Sequence, residues 1–407
     1  MPADTDDPVT CYLELGLALG RHVDGMVDAY FGPPELAERA AAGPPRPPGE
    51  IEADLRRLIA DLDGGAALEP ARRHWLRAQV LGLRTTAARL AGEPIGYADE
   101  VEACYGVRPS MVDEETFASA HRALDEALPG SGPVRDRLIG WREAQAVPVD
   151  RLKAAVRSIA EDLRERTASR FGLPEGEQVE FELVTDQPWS GFNYYLGGLR
   201  SRVAINTDLP VLATGLAHLV AHEAYPGHHT EHTRKEVGLV RRRGQLEETI
   251  FLVGTPQCLL AEGLADLAVE VAISPDPHEQ AAVTAEHLRP LGVHFDADVA
   301  GVVATAGDGL LGVRGNVGLL LHEEGLDPDE VADYAARWSL LPPARARKAV
   351  AFQTDPTWRA YVTCYVEGLP LCRGYVAGDP ARFERLLTEQ LTPDQLARSV
   401  PPADPPA

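Results

Sequence analysis

The chemistry in this sequence is concentrated between Val211 and Thr233, VLATGLAHLVAHEAYPGHHTEHT. Five of the twelve histidines lie there. From Val211 to Ala221 no side chain carries a formal charge, with His218 counted as neutral. Leu212, Leu216, Leu219 and Val220 share one side at helical spacing, and Ala213, Ala217 and Ala221 cover much of the rest. A helix that is apolar nearly all round belongs in a core. Into that setting the sequence puts His222-Glu223, then Tyr225-Pro226-Gly227-His228-His229. A buried carboxylate beside buried imidazoles is unfavourable without compensation. A bound cation is the simplest compensation.

His-Glu on a helix is the start of the H-E-x-x-H zinc motif, in which two histidines one turn apart share a face. Here the position four after His222 is Pro226, and the next histidine is His228. On a regular helix His228 would lie about 9 Å along the axis and about 240° around it, out of reach of the same ion. Pro226 has no N–H to return to the His222 carbonyl, and Gly227 accepts almost any backbone angle. The sequence therefore predicts a broken or bulged turn at Tyr225–Gly227 that swings His228 back towards His222. His218, four before His222, is itself at ligand spacing and is the alternative second imidazole.

The third ligand is expected from Pro256–Ala272, PQCLLAEGLADLAVEVA. Its leucines make it a core helix, and Glu262, Asp266 and Glu270 follow one another down one face. Glu262 leads that face and precedes Gly263, where another backbone can approach closely. Two imidazoles (His222, His228), one carboxylate (Glu262) and an open position describe a catalytic zinc site, with one Zn²⁺ per chain. The same donors also suit Fe²⁺, the alternative metal. Glu223 neighbours His222 and points about 100° away from it, beside the ion rather than on it, as a general base would. His218, His229 and Asp266 are expected to orient ligand imidazoles or line the pocket, Asp266 as an acceptor for a ligand imidazole. Tyr361 and Tyr365 are one turn apart on an expected helix, Tyr361 facing the site or its substrate, with core packing the alternative for each.

HEAYPGHH, followed about thirty residues later by AEGLADLAVE, resembles the bacterial "domain of unknown function 885" family. His222, Glu223, Pro226, Gly227 and His228 match its His-Glu-x-x-Pro-Gly-His pattern. Glu262, Gly263 and Ala265 match its Glu-Gly-x-Ala. The N-terminal HVDGMVDAYFGPPEL carries the resemblance towards the start of the chain. Tyr365–Gly368 is similar to a C-terminal Tyr-x-x-Gly motif, which implies a tyrosine hydroxyl beside the oxyanion. The resemblance implies a mostly helical, gluzincin-like zinc metallopeptidase. The family's Asp-Thr-Gly-x-His stretch has no clear counterpart in Ala306–Gly325, AGDGLLGVRGNVGLLLHEEG.

The rest of the chain must hold these groups in place. At 407 residues it can bury a substantial core. Its formal charge of −23 repels nucleic acid and anionic membranes. Five cysteines without a Cys-x-x-Cys fit a reducing compartment. With no signal-like N-terminus and no long apolar run, a cytoplasmic protein is expected. Helical patterns run from Thr10 to Phe171, beginning with Thr10–Asp28. Gly172–Gly176 changes the character. Gln178–Thr185 and Ser201–Asn206 then read as strands. The expected fold is mainly α, with a small β-hairpin beside the active-site helix. A helical N-terminal half (1–172) should lean over a metal-binding half (173–400), with a cleft between them and a disordered tail at 401–407. The basic run Arg241–Arg243 reads as a solvated loop, and Arg382–Arg398 as one last helix. The expected activity is zinc-dependent hydrolysis of an amide bond in a peptide or peptide-like substrate. The alternatives are a zinc or iron enzyme of other chemistry on a small metabolite, or a non-catalytic metal-binding protein.

Overall fold

The structure is a computed structural model and describes residues 7–187, 189–355 and 358–399. It is mainly helical with few short strands. In chain order the first elements are α1 (Pro8–Gly20), β1 (Val27–Tyr30), α2 (Pro34–Ala41), α3 (Pro48–Asp63), α4 (Pro70–Leu90) and α5 (Tyr97–Tyr105). Helices α6 (Glu114–Ala127), α7 (Val134–Ala144) and α8 (Val149–Phe171) follow. Strands β2 (Gln178–Val184), β3 (Gly191–Tyr195) and β4 (Arg200–Asn206) precede α9 (Leu216–Glu223) and α10 (His228–Lys235). Then come β5 (Ile250–Leu252) and α11 (Pro256–Ala272). The remainder is α12 (Pro277–Leu288), α13 (Ala297–Leu310), α14 (Gly312–His322), α15 (Pro328–Trp338), α16 (Pro343–Thr354), α17 (Thr363–Val376), α18 (Pro380–Thr388) and α19 (Pro393–Ser399). Among the described residues no helix is long and apolar enough to cross a membrane. The tail expected at 401–407 lies outside the described residues.

Packing divides the chain into two units. One takes the chain up to Pro109, Arg234–Leu264 and the chain from Thr363 on; the other takes Ser110–Thr233 and Ala265–Val362. These are not the halves 1–172 and 173–400, because partners distant in sequence pair within each unit. In the first unit β1 pairs antiparallel with β5, Tyr30 opposite Ile250. Ile250 and Leu252 join Tyr12, Leu19, Leu55, Trp75 and Val80 in one apolar cluster. The expected helix Thr10–Asp28 therefore stops at Gly20, and its last residues enter a strand. In the second unit α6 packs on α13.

The three-stranded sheet has the order β2-β4-β3. The two strands expected from the sequence, β2 and β4, run parallel, Phe181 beside Val203. The hairpin is β3–β4, antiparallel, with Asn193 opposite Val203. Val203 and Ile205 point into the core shared with α8, α9 and the second half of α11.

Two further segments differ from expectation. Glu236–Arg241 is a π-helical turn continuing α10 rather than a loop, although Arg241, Arg242 and Arg243 are exposed as expected. The last helix is two, α18 and α19, parted at Glu389–Thr392. Ala306–Gly325 spans the end of α13 and α14. There Asn316 holds the Val112 backbone through both its N–H and its carbonyl, each at 2.8 Å, which is a packing role.

Candidate metal centre

Helix α9 buries Leu216, Ala217, Val220 and Ala221 and presents His218 and His222, one turn apart, on another face. It ends at Glu223, where Ala224 leaves helical geometry (φ −128°, ψ −75°). The Tyr225–Pro226 peptide is cis. The Gly227 N–H then donates back to the Ala221 carbonyl at 2.9 Å. The next helix starts as the Glu231 N–H donates to the Gly227 carbonyl at 3.0 Å. A Cβ on Gly227 would stand 1.9 Å from the His222 carbonyl oxygen. Only glycine permits this approach of one helix start to the other helix end.

The returning chain brings His228 to His222. Their Nε2 atoms are 3.2 Å apart, with the rings nearly perpendicular at 88°. On the other side of His222, Nδ1 donates to Asp266 Oδ1 at 2.9 Å. Burial works to raise the Asp266 pKa, but hydrogen bonds from His218 and His222 outweigh it and hold the carboxyl well below the usual range. Asp266 is thus an anion that keeps the His222 proton on Nδ1 and leaves Nε2 its lone pair. Glu262, one turn earlier on α11, is buried. Among the described residues, two groups bring three ligand atoms within 4.8 Å of one another: His222, His228 and Glu262, and His218, His222 and Asp266.

The first group fits zinc. Two ligands at about 2.0–2.1 Å from the ion in a tetrahedron stand about 3.3 Å apart, close to the spacing of the two Nε2 atoms. A carboxylate on the far ring nitrogen is the usual support for a zinc-binding histidine. Three protein donors leave a position open.

Glu223 belongs to neither group and is 6 % exposed. Its carbonyl accepts from Asn193 Nδ2 at 2.5 Å. A Cβ on Gly191 would lie 3.2 Å from its Oε1. The carboxylate is therefore held against the start of β3, and Gly191 makes room for it.

His229, expected to orient a ligand imidazole or line the pocket, is turned towards Ser201 and Glu177 instead. Consecutive helical residues point about 100° apart, so His228 and His229 cannot face one ion. Both His229 nitrogens are taken, Nδ1 by Ser201 Oγ and Nε2 by Glu177 Oε2, each at 2.8 Å. Tyr225 donates to the same Glu177 oxygen at 2.8 Å, and Arg164 pairs with the other at 2.6 Å. Burial would raise the Glu177 pKa, but the bonds from His229 and Tyr225 bring it below the ordinary value. This network pins the broken turn and the start of α10 to the sheet. Sequence reasoning missed Glu177, whose only local signal is an acid ahead of a strand. His232 stacks on Tyr195 at 4.7 Å.

The two tyrosines do not share a helix. Tyr361 lies in a turn closed by its N–H donating to the Trp358 carbonyl, and its ring meets Trp358 at 5.7 Å. Tyr365 is half-buried in the first turn of α17. Helices α11 and α17 cross backbone to backbone beside Glu262. A Cβ on Gly263 would meet the Gly368 carbonyl oxygen at 2.3 Å. Tyr365 is three residues before Gly368 and on the same helical face.

No family model matches the chain, and no curated protein matches it. Solved structures resemble it in fold. One, described as a "putative lipoprotein" from Colwellia psychrerythraea, superposes with a TM-score of 0.52 at 16 % identity over 86 % of this chain. The chain spans 65 % of that protein's length. Another, described as a "putative lipoprotein of unknown function" from Shewanella oneidensis, gives a TM-score of 0.48 at 13 % identity, covering 89 % of this chain and 75 % of that one. At this identity the first likeness speaks for the fold alone.

Proposed function

We propose that the chain is a zinc-dependent hydrolase of amide bonds in peptides or peptide-like molecules. The observation that carries this is the pair of Nε2 atoms at 3.2 Å with the His222 Nδ1 already tied to Asp266. His222, His228 and Glu262 would hold the ion, and Asp266 would orient His222. Bound zinc lowers the pKa of water and polarises a carbonyl. Glu223 accepts the proton of the attacking water and passes it to the leaving amine. The Tyr365 hydroxyl donates to the developing oxyanion. Among the described residues β3 is an edge strand paired with β4, the kind of edge to which an extended peptide could add beside Glu223. The resemblance of HEAYPGHH and AEGLADLAVE to the metallopeptidase-like family supports the same reading. The odd number of cysteines and the lack of a Cys-x-x-Cys fit the reducing, cytoplasmic setting proposed with this activity.

The purified protein is expected to carry about one zinc per chain. His222→Ala, His228→Ala and Glu262→Ala should each lose it, and His218→Ala should keep it. Metal analysis after dialysis reads this directly. If the three variants keep full metal, or His218→Ala alone loses it, the ligand set is wrong. Iron in anaerobically purified protein would point instead to oxidative chemistry on a small metabolite. Screening a peptide library by mass spectrometry identifies the bond cleaved. Once a substrate is known, Tyr365→Phe should lower kcat on the order of 10²-fold, the cost of one oxyanion donor. An unchanged kcat would remove Tyr365 from the mechanism.

A further inference from the structure

Of the second group of ligand atoms, that of His218 has no part in that reading. His218 Nε2 stands 3.5 Å from Asp266 Oδ1, the same oxygen that accepts from His222. The His218 side chain is 46 % exposed, whereas those of His222 and Asp266 are 13 % and 15 % exposed. The ring is therefore open to solvent and to a dissolved ion, while the carboxylate behind it is sheltered and anionic. An imidazole nitrogen facing a carboxylate oxygen suits Zn²⁺ or Cu²⁺ rather than Mg²⁺ or Ca²⁺, which prefer oxygen alone. We propose that His218 and Asp266 form a second, weaker transition-metal site whose filling loosens the ion held by His222, His228 and Glu262. The inference rests on that first site being a metal centre.

The coupling follows from the shared atom. Asp266 Oδ1 either accepts the His222 Nδ1 proton or binds a cation beside His218. A cation there weakens the bond that fixes the His222 tautomer and aims its Nε2. Removing such a supporting partner typically lowers metal affinity 10- to 100-fold. The second site is weak because only two protein groups and solvent complete it. Excess zinc would then act against the zinc already bound.

The test uses the full chain and needs no substrate. Apo protein is dialysed against rising Zn²⁺, and bound metal is counted. Wild type should show one tight site, then a second filling at least about 10²-fold weaker. His218→Ala should keep the tight site, which also shows that it folds, and lose the weak one. Protein carrying one equivalent of isotopically enriched zinc is next exposed to natural zinc. Release of the label should accelerate at least about 10-fold as the weak site fills in wild type, and should not depend on zinc concentration in His218→Ala. Mg²⁺ should not reproduce the effect. A single class of site in wild type, or a weak class surviving in His218→Ala, overturns the second site. Label release independent of zinc in wild type overturns the coupling. Absence of any tight site is a different result, and it overturns the metal centre itself.

Discussion

Glu223→Gln is expected to bind zinc nearly normally and to lose hydrolysis by at least ~10²-fold, the usual contribution of a positioned base. The substitution keeps the size of the side chain and its hydrogen-bonding capacity. What it removes is a carboxylate able to take a proton. Glu223 is sequence neighbour to one ligand, His222, yet its oxygens are not among the clustered ligand atoms. Its place is set independently, through its carbonyl by Asn193 and through its carboxylate by the space over Gly191. The metal should therefore not notice the change. Single-turnover rates and metal content, measured on the same preparation, separate the two effects. Full activity would send the proton elsewhere. Lost zinc would make Glu223 a ligand and require another base.

Gly227→Ala should cost as much by a different route. The added methyl would sit 1.9 Å from the His222 carbonyl oxygen and 2.4 Å from that of Ala221. Both are backbone atoms of a buried helix, so neither can swing aside as a side chain would. The start of α10 must move off α9, carrying His228 away from His222. Overpacking in a core typically costs 1–3 kcal/mol, and a clash with fixed backbone belongs at or above about 3 kcal/mol. A lowered denaturation midpoint in the apo protein, together with loss of bound zinc, is the expected result. Gly215→Ala is the control, since a Cβ there meets nothing within 4 Å. A Gly227→Ala protein with wild-type zinc affinity would show that the close return of the chain is not what unites the two histidines.

Several features could be read from the chain because they repeat within one element or break it. The i, i+4 spacing put His218 with His222 and Glu262 with Asp266 on shared helical faces. Pro226-Gly227 marked where α9 had to stop, and Gly263 marked a close approach that Gly368 supplies. The mainly helical architecture followed from the same periodicities. What stayed hidden involves partners in other elements. Glu177 is 52 residues from His229, and nothing local in either names the other. Strands β1 and β5 have four and three residues, too few to alternate visibly, and their pairing spans more than two hundred residues. The five-residue strand β3 opens on a glycine and displaces β2 as the hairpin partner of β4.

By itself, then, the sequence determined which groups could share a face and where the backbone had to bend, because those are properties of covalent order and helical pitch. Only the tertiary structure decided which faces meet. It turned Nδ1 of His222 to Asp266 and Nε2 to His228, took His229 away to Glu177 and Ser201, and left His218 at the surface beside the same carboxylate. Those choices depend on burying the apolar sides of α8, α9 and α11 together. A periodicity marks such a surface without naming its partner.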